Sequence, residues 1–517
     1  MTIYKRVFDC LRYSSIQYPD KIAVYDDCYC YTYQRLEEQT NRIANYLFEK
    51  GARYHDRIAI SIDKKNSLAL LIMISVMKLG AIYVPINTKL SRETQQVIIS
   101  NCRPKIIISD SNNNISDELM ITCFDENFNH DNCDYFAPAS LCEFSDKYDS
   151  SHVISSDIAY IIHTSGSAGV PKGVMIAHQN IIPVIEWRVK ALNFSLDTKL
   201  ISIAPLYFDP IILEFFSVLF SSATLYVFDM GSAGIRHFLS SIQNEKITKF
   251  ICVPSIIQLI LLNRHKLDKF DFSCIDTVVI GGSSITLNNV RIMALFFENA
   301  MFYNGYGLTE TAVSAFLYKI NLHSEEINIP LGEIMDDCEF YILDDSSNAL
   351  YEDGSIGELI IRGPNVMKGY WENVEATNKS LKKNPVLPFL PEKVLYTGDL
   401  VKIYNANIYF IGRIDDQIKI NGYRVELGEI ENFILNQKEV VECSVIPCEI
   451  ENKKNIYCYI VLDNAGELDK IIQNTRLALP NYMRPSRWIV MDALPKLPNG
   501  KIDKNRLRDR AEVEGDH

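Results

Sequence analysis

Apolar residues recur along this chain in two alternating patterns, short continuous runs and stripes of helical spacing. The runs, typical of buried strands, lie at 57–62, 81–85, 105–109, 158–162, 200–204, 224–228, 249–253 and 277–280. Helical stretches lie between them, such as 31–50, where Leu36, Ile43 and Leu47 share one face and Gly51 follows as a stop. Strands that alternate with helices predict an α/β fold with mostly parallel sheets.

The pattern changes after residue 330, where short alternating strands at 339–343 and 357–363 are separated by Gly, Pro and Asn turns. This predicts a β-rich subdomain at the end of a large N-terminal domain, residues 1–414. A polar, charged stretch, 412–422, leads into a small α+β C-terminal domain, residues 415–517. The Asn-, Ser- and Asp-rich stretch 110–150 is expected to be a surface excursion.

Composition narrows the class of protein. The chain has 517 residues, 47% hydrophobic and 23% charged, which is ordinary for a globular protein with a large core. Its net charge of −13 argues against nucleic-acid binding. The 13 cysteines form no C-x-x-C pair, which argues against a zinc site or disulfide framework and indicates a reducing, cytoplasmic compartment. No signal peptide is expected. The apolar run Leu68–Met77 is too short to span a membrane and is interpreted as a core helix, within a helix predicted at 67–80.

A hydroxyl- and glycine-rich loop follows the predicted strand at 158–162. Glycine lets a backbone approach an anion closely, hydroxyl groups donate hydrogen bonds, and a lysine adds a positive charge. By itself such a loop is more often a polar surface turn, and it lacks the Walker A spacing. The candidate phosphate-binding residues are Thr164, Ser165, Gly166, Ser167, Gly169 and Lys172.

Several ordered motifs together resemble the adenylate-forming superfamily, which comprises acyl-CoA synthetases, luciferases and nonribosomal peptide synthetase adenylation domains. The resemblance runs nearly end to end and is closest to free-standing amino-acid adenylation domains. The motifs are 164–173, Asn304–Glu310 (Asn-Gly-Tyr-Gly-Leu-Thr-Glu), 357–363, Tyr396–Leu400 (Tyr-Thr-Gly-Asp-Leu), 412–431 and Pro498–Asp503 (Pro-Asn-Gly-Lys-Ile-Asp). One departure is Ala168, which stands where the family usually has threonine.

The resemblance implies ATP and Mg²⁺ as cofactors and assigns residues to each. Tyr306 would face the adenine, and Asn304 would offer amide groups to its polar edge. Thr309 would donate to the α-phosphate, and Glu310 would be an oxygen ligand of Mg²⁺. The remaining nucleotide contacts would be Gly282, Asp399 and Arg413.

Lys501, in the Pro-Asn-Gly-Lys turn, matches the family's catalytic lysine. It would stabilise the negative charge that develops when a carboxylate attacks the α-phosphate. One ammonium about 4 Å away contributes roughly 4 kcal/mol at an effective dielectric near 20. Thr309 and Glu310 would complete the catalytic set. Asp415 matches the hinge about which the small domain rotates between two half-reactions.

Asp209 indicates which acids are activated. The resemblance places it where amino-acid-activating members hold an aspartate, and a buried carboxylate requires a cation such as the substrate α-ammonium. A helix N-cap is the alternative role. The rest of the predicted pocket is uncharged, which favours an apolar amino acid, with D-alanine also compatible; it comprises Pro210, Leu213, Cys252, Val279, Gly281, Gly305, Val313 and Ser314.

The expected product is therefore an aminoacyl-AMP, with release of pyrophosphate. Its acyl group would pass to the phosphopantetheine thiol of a separate carrier protein, because no carrier unit is recognised in the chain. The alternatives are an acyl- or aryl-CoA synthetase, a D-alanyl carrier protein ligase, and a non-catalytic paralogue. Retention of Lys172, Glu310, Asp399 and Lys501 argues against the last.

Overall fold

The computed structural model describes residues 4–63, 65–90, 92–110, 119–123, 134–136, 140–164, 171–283, 285–326, 328–414, 417–420, 423–450, 453–463, 465–479 and 483–515. These ranges include the α/β region, the β-rich region and the small C-terminal unit.

The described strands follow in chain order. They are β1 (Ile22–Tyr25), β2 (Cys30–Thr32), β3 (Arg57–Ser61), β4 (Ile82–Pro85), β5 (Ile106–Ser109), β6 (Leu119–Cys123), β7 (Asp134–Phe136), β8 (Ile158–Thr164), β9 (Lys172–Ala177), β10 (Lys199–Ser202), β11 (Thr224–Val227), β12 (Lys249–Cys252), β13 (Thr277–Gly281), β14 (Met301–Tyr306), β15 (Phe316–Lys319), β16 (Glu333–Ile334), β17 (Glu339–Leu343), β18 (Ile356–Arg362), β19 (Gly369–Tyr370), β20 (Leu381–Lys383), β21 (Lys393–Tyr404), β22 (Asn407–Arg413), β23 (Gln417–Ile420), β24 (Tyr423–Glu426), β25 (Val440–Ile450), β26 (Lys453–Leu462) and β27 (Arg487–Val490).

The described helices alternate with these strands. They are α1 (Asp9–Gln17), α2 (Tyr33–Glu49), α3 (Ser67–Lys78), α4 (Arg92–Cys102), α5 (His178–Ala191), α6 (Pro210–Phe220), α7 (Met230–Asn244), α8 (Pro254–Leu262), α9 (Leu287–Ala294), α10 (Val374–Ser380), α11 (Leu427–Leu435), α12 (Leu468–Ala478) and α13 (Lys504–Gly515).

Two large, mostly parallel sheets form the N-terminal domain. Within the described ranges, the first sheet has eight strands in the order β19–β9–β8–β4–β3–β5–β6–β7, parallel from β8 onwards. The second has nine, in the order β16–β15–β14–β13–β12–β10–β11–β1–β2, with antiparallel strands at both edges. The predicted α/β class with mostly parallel sheets is confirmed.

Antiparallel structure dominates the rest of the chain. Strands β17, β18, β21, β20 and β22 form the predicted β-rich subdomain. The smaller C-terminal unit contains the β23–β24 hairpin and the sheet β25–β26–β27, on which α11 and α13 pack. The boundary predicted at residue 415 lies outside the described residues and stays a prediction.

Helix α3 shows how the sequence pattern determines burial. All twelve of its residues are buried, as predicted for a core helix, and Asn66 caps it by accepting from the Ala69 N–H at 3.0 Å. Lys78 is buried because Glu37, Thr40 and Asn41 of α2 accept from its ammonium. No helix among the described residues is long and apolar enough to cross a membrane.

The stretch 110–150 contains more structure than its composition predicts. Strands β6 and β7 lie there and extend the first sheet at its edge in parallel with β5, so a simple surface excursion was wrong for those segments. Both strands are short, five and three residues, and lie in a stretch rich in Asn, Ser and Asp, which explains why the sequence pattern did not predict them.

Candidate active site

The candidate site lies at the carboxyl ends of the parallel strands β10, β12, β13 and β14. Parallel strands point these ends to one edge of a sheet, where α/β folds commonly bind ligands. Helix α6 starts there, directly after Asp209, and β13 and β14 end at Gly281 and Tyr306. The sheet therefore brings together residues from segments about one hundred positions apart.

Asp209 stands at the N-cap position of α6, but its side chain accepts no capping bond from the described first turn. Burial raises the pKa of its carboxyl to about 6, with hydrogen bonding from Thr309 and the charge of Lys501 acting in the opposite direction. Glu310 nearby raises it further. The capping role is thus not what holds this carboxylate, and all three predicted catalytic residues act on its pKa.

The predicted side-chain pocket is built from buried residues. Leu213, Cys252, Val279 and Ser314 are each less than a tenth exposed, and burial raises the pKa of the Cys252 thiol. Pro210 forms the first residue of α6. The structure thus places these residues on α6, β12, β13 and the segment after β14.

Glycine occupies the two pocket positions, 281 and 305, for different physical reasons. They pair across β13 and β14, and a Cβ on Gly281 would lie 2.7 Å from the Gly305 carbonyl oxygen. A Cβ on Gly305 would make only ordinary contacts, with Val279 Cγ1 at 3.4 Å and the Ile280 carbonyl oxygen at 3.9 Å. Gly281 is therefore required by the close approach of the two strands, whereas the Gly305 position has room for a small side chain.

The backbone turns sharply between β14 and β15. Ala312 and Val313 have φ values of 47° and 83°, an uncommon conformation for a β-branched residue. A Cβ on Gly307 would lie 2.1 Å from the Val313 carbonyl oxygen, so only glycine fits there. Asn365, fully buried, donates from Nδ2 to the Ser314 carbonyl at 3.1 Å and fixes the end of the turn. Strained backbone of this kind is concentrated at functional sites.

A hydrogen-bonded trio joins three of the predicted nucleotide contacts. Tyr306 Oη donates to Asp399 Oδ2 at 2.5 Å, and Arg413 donates to Asp399 Oδ1 at 2.7 Å. Burial raises the pKa of Asp399, while Arg413, Tyr306 and Lys501 counteract that shift. Gly398 has a φ of 71°, and a Cβ there would lie 2.8 Å from the Arg413 guanidinium, so glycine makes the trio possible.

The other described nucleotide candidates lie on or next to strands β14, β13, β9 and β8. Asn304 donates from its amide to the Pro330 carbonyl at 2.8 Å. Gly282 follows β13 with a φ of 85°, and Lys172 begins β9. Thr164 ends β8, whereas Ser165, Gly166, Ser167, Ala168 and Gly169 lie outside the described residues, as does Asp415.

Glu310 is the candidate metal ligand. Its Oε1 accepts from Tyr370 Oη at 2.7 Å, and its carbonyl accepts from the Met367 N–H at 2.9 Å. The described residues contain no group of three His, Cys, Asp or Glu side chains that could hold a metal. A single carboxylate suits Mg²⁺, which is usually bound by one or two carboxylates, waters and substrate phosphates.

Lys501 approaches the site from the small domain. Its turn is closed by hydrogen bonds from Leu497 N–H to the Lys501 carbonyl, 2.7 Å, and from Gly500 N–H to the Leu497 carbonyl, 2.9 Å. The side chain is exposed, yet its charge opposes the rise that burial causes in the pKa of both Asp209 and Asp399. Across the same interface, Gln258 of α8 donates to the Val441 carbonyl at 3.0 Å.

Sequence reasoning missed Tyr370 and Asn365. Both lie in the segment after β18 and contact the 310–314 turn. A Gly-Tyr dipeptide and an Asn after a Gly-Pro pair are common in turns, so nothing in their chemistry distinguished them. Only the position of that segment against β9 and β14 shows their contacts.

Two family profiles match this chain. The AMP-binding enzyme profile matches residues 11–371, and the AMP-binding enzyme C-terminal domain profile matches residues 429–501. The chain belongs to the AMP-binding enzyme family. It is an adenylate-forming enzyme of the AMP-forming ligase type, as the ordered motifs predicted.

Relatives of this AMP-binding enzyme include peptide synthetases. Tyrocidine synthase 3 of Brevibacillus parabrevis is 31% identical over 509 residues, covering 95% of this chain and 7% of that protein. The chain thus spans less than a tenth of that relative's length. Among solved structures, the anthranilate CoA ligase AuaEII in complex with anthranoyl-AMP superposes with a TM-score of 0.88, at 20% identity over 100% of this chain and 99% of that one.

A further structure shares the fold of this AMP-binding enzyme. The four-domain nonribosomal peptide synthetase AB3403, bound to AMP and glycine, gives a TM-score of 0.79 at 24% identity over 96% of this chain and 36% of that one. The fold class predicted from the sequence is thus shared with adenylating enzymes that act on different acids.

Proposed function

We propose that this enzyme uses ATP to activate an α-amino acid with an apolar side chain and transfers the aminoacyl group to the phosphopantetheine thiol of a carrier protein. The observation that carries the proposal is Asp209, the one charged residue in the predicted pocket lining. Its carboxyl is partly buried with a raised pKa, and an α-ammonium would supply the missing cation. The uncharged remainder of the lining suits an apolar side chain.

The first half-reaction forms one bond and breaks another. A substrate carboxylate oxygen bonds to the α-phosphorus of ATP, and the bond from that phosphorus to the pyrophosphate oxygen breaks. Lys501 offsets the negative charge that gathers on the phosphate oxygens, and Thr309 donates to the same group. Tyr306, Asp399 and Arg413 hold the nucleoside, and Lys172 binds the leaving phosphates.

The residues present fit a magnesium ion. Glu310 would hold it, and the ion would neutralise phosphate charge. In the second half-reaction, a thiolate attacks the acyl carbon of the aminoacyl-AMP, a thioester forms, and AMP leaves. Relatives such as tyrocidine synthase 3 support a carrier as the thiol donor, and whether the carrier is a separate protein is a prediction.

An aryl-CoA synthetase is the second candidate. It is favoured by the high structural similarity to AuaEII, whose substrate is an aromatic acid. That reaction shares the adenylation step and differs in the thiol and in the absence of an α-ammonium. Asp209 would then have no cationic partner in the substrate, which is the physical reason to prefer an amino acid.

The deciding experiment is ATP–pyrophosphate exchange with a panel of L- and D-amino acids, fatty acids and aryl acids, D-alanine included. We expect exchange with an apolar amino acid, and its selective loss in Asp209→Ala. Exchange only with acids that lack an ammonium would establish the synthetase instead. An Asp209→Ala variant as active on amino acids as the native enzyme would refute the pairing, and no exchange with any acid would refute catalysis.

A further inference from the structure

Tyr370 lies between two residues assigned above to the metal-bound triphosphate. Its hydroxyl donates to Glu310 Oε1 at 2.7 Å, and the Lys172 ammonium lies 5.6 Å from the centre of its ring. The side chain is 7% exposed. One buried phenol therefore contacts a carboxylate and a cation that would act on the same ligand.

The backbone around Tyr370 is fixed independently of its hydroxyl. Strand β19 pairs with β9 in the register Tyr370 to Val174, and the Tyr370 N–H donates to Thr377 Oγ1 at 2.9 Å. The Glu310 carbonyl is held separately, by the Met367 N–H. The hydroxyl is thus not needed to hold these segments together, and its contact determines which way the Glu310 carboxylate points.

The chemistry of this contact suits an orienting role. A carboxylate that accepts one bond at Oε1 keeps Oε2 and further lone pairs for a cation. The phenol of tyrosine is both a donor and an acceptor, and at 2.7 Å from Glu310 Oε1 its hydrogen is donated to the carboxylate. The ring face attracts an ammonium, which keeps Lys172 near the phosphate loop.

We propose that Tyr370 is a positioning residue that orients Glu310 for a divalent metal and holds Lys172 for the triphosphate. The inference rests on the proposed roles of Glu310 and Lys172 and adds a residue that acts through both. Partners that orient a metal ligand commonly affect metal affinity as strongly as tenfold to a hundredfold.

Two substitutions separate the two contacts. Tyr370→Phe removes the hydroxyl and keeps the ring, whereas Tyr370→Leu removes both. Mn²⁺ binding would be measured by electron paramagnetic resonance with the α,β-methylene analogue of ATP, which cannot form an adenylate. Analogue binding without metal would be measured by calorimetry.

We expect Tyr370→Phe to weaken Mn²⁺ binding about tenfold and leave metal-free analogue binding unchanged. Tyr370→Leu should also weaken metal-free analogue binding by about threefold, through loss of the ring contact. Unchanged Mn²⁺ affinity in Tyr370→Phe would overturn the proposal. Equal weakening of both measurements in that variant would also overturn it, because the hydroxyl would then act on the nucleotide site as a whole.

Tyr341→Phe is the matched control. Tyr341 donates to Glu339 Oε2 at 2.9 Å in the β-rich subdomain, so the control removes the same kind of bond at a different place. It should leave Mn²⁺ binding unchanged.

Glu310→Ala distinguishes this inference from the proposed function. In that background, Tyr370→Phe should cause no further loss of Mn²⁺ affinity, and a further loss would contradict an action through Glu310. Native Mn²⁺ affinity in Glu310→Ala alone would instead refute the metal role on which the inference rests.

Discussion

The charge of the Asp209 carboxylate depends on pH in a range that is set by the burial of the side chain. Burial raises its pKa to about 6, so in the ligand-free enzyme it is ionised above that pH and neutral below it. An α-ammonium stays protonated throughout this range. The attraction between the two groups should therefore disappear on acidification.

We predict that the dissociation constant of the amino acid rises about tenfold for each pH unit below the Asp209 pKa and is constant above it. Equilibrium binding without ATP, from about pH 5 to about pH 8, measures this directly. Asp209→Asn is the control and should bind weakly at every pH. A dissociation constant that stays flat down to the acidic limit in the native enzyme would contradict the assigned pairing.

The sequence predicted the roles of residues that belong to a local motif. It did not predict contacts that depend on how distant segments pack together. The sequence singled out Tyr306, Asp399 and Arg413, but not the hydrogen bonds that join them. The bond from Tyr306 to Asp399 links strands of two different sheets, and the bond from Arg413 joins residues paired across β21 and β22. Tyr370 was missed for the same reason. Its function depends on which carboxylate lies opposite, and no spacing along the chain encodes that.

At the scale of elements, the alternation of strands and helices was readable because burial imposes distinct periods on each. The predicted strand at 249–253 is β12, Lys249–Cys252, and the predicted helix at 67–80 is α3, Ser67–Lys78. Strands β6 and β7 were missed because the stretch around them is rich in Asn, Ser and Asp, although β6 itself is the apolar segment Leu-Met-Ile-Thr-Cys.

Strands β13 and β14 provide a prediction about the pocket glycines. Gly281→Ala would place a Cβ 2.7 Å from the Gly305 carbonyl and force the strands apart. We expect a loss of about 1–3 kcal/mol in the free energy of unfolding, measured by denaturant titration.

Gly305→Ala is the matched control, since its Cβ would make an ordinary contact of 3.4 Å with Val279. It should retain nearly native stability and shift substrate preference towards smaller side chains. Equal stability of the two variants would mean that the sheet accommodates the extra methyl group, contrary to the geometry.

At the scale of the whole molecule, the small domain positions Lys501 on a turn that packs against α8. Gly500 has a φ of 79°, and a Cβ there would lie 3.0 Å from Ser255 Oγ. We predict that Gly500→Ala slows adenylate formation about tenfold to a hundredfold, because a small displacement of a catalytic group is costly.

Lys501→Ala should slow adenylate formation by roughly a thousandfold or more, because it removes the ammonium itself.

Single-turnover adenylate formation measures both variants. The control is Gly354→Ala, which has a similar φ of 86° but nothing within 4 Å of the added Cβ, so it tests backbone strain alone. Native rates in Gly500→Ala would show that the Lys501 turn does not need its contact with α8.

The trio of Tyr306, Asp399 and Arg413 has a consequence for folding kinetics. Tyr306 belongs to the nine-stranded sheet and Asp399 to the five-stranded one, while Lys172 lies on the eight-stranded sheet. A nucleotide that contacts all three can bind only after those units have assembled. Such a ligand cannot accelerate refolding, and it should instead slow the unfolding of the assembled enzyme.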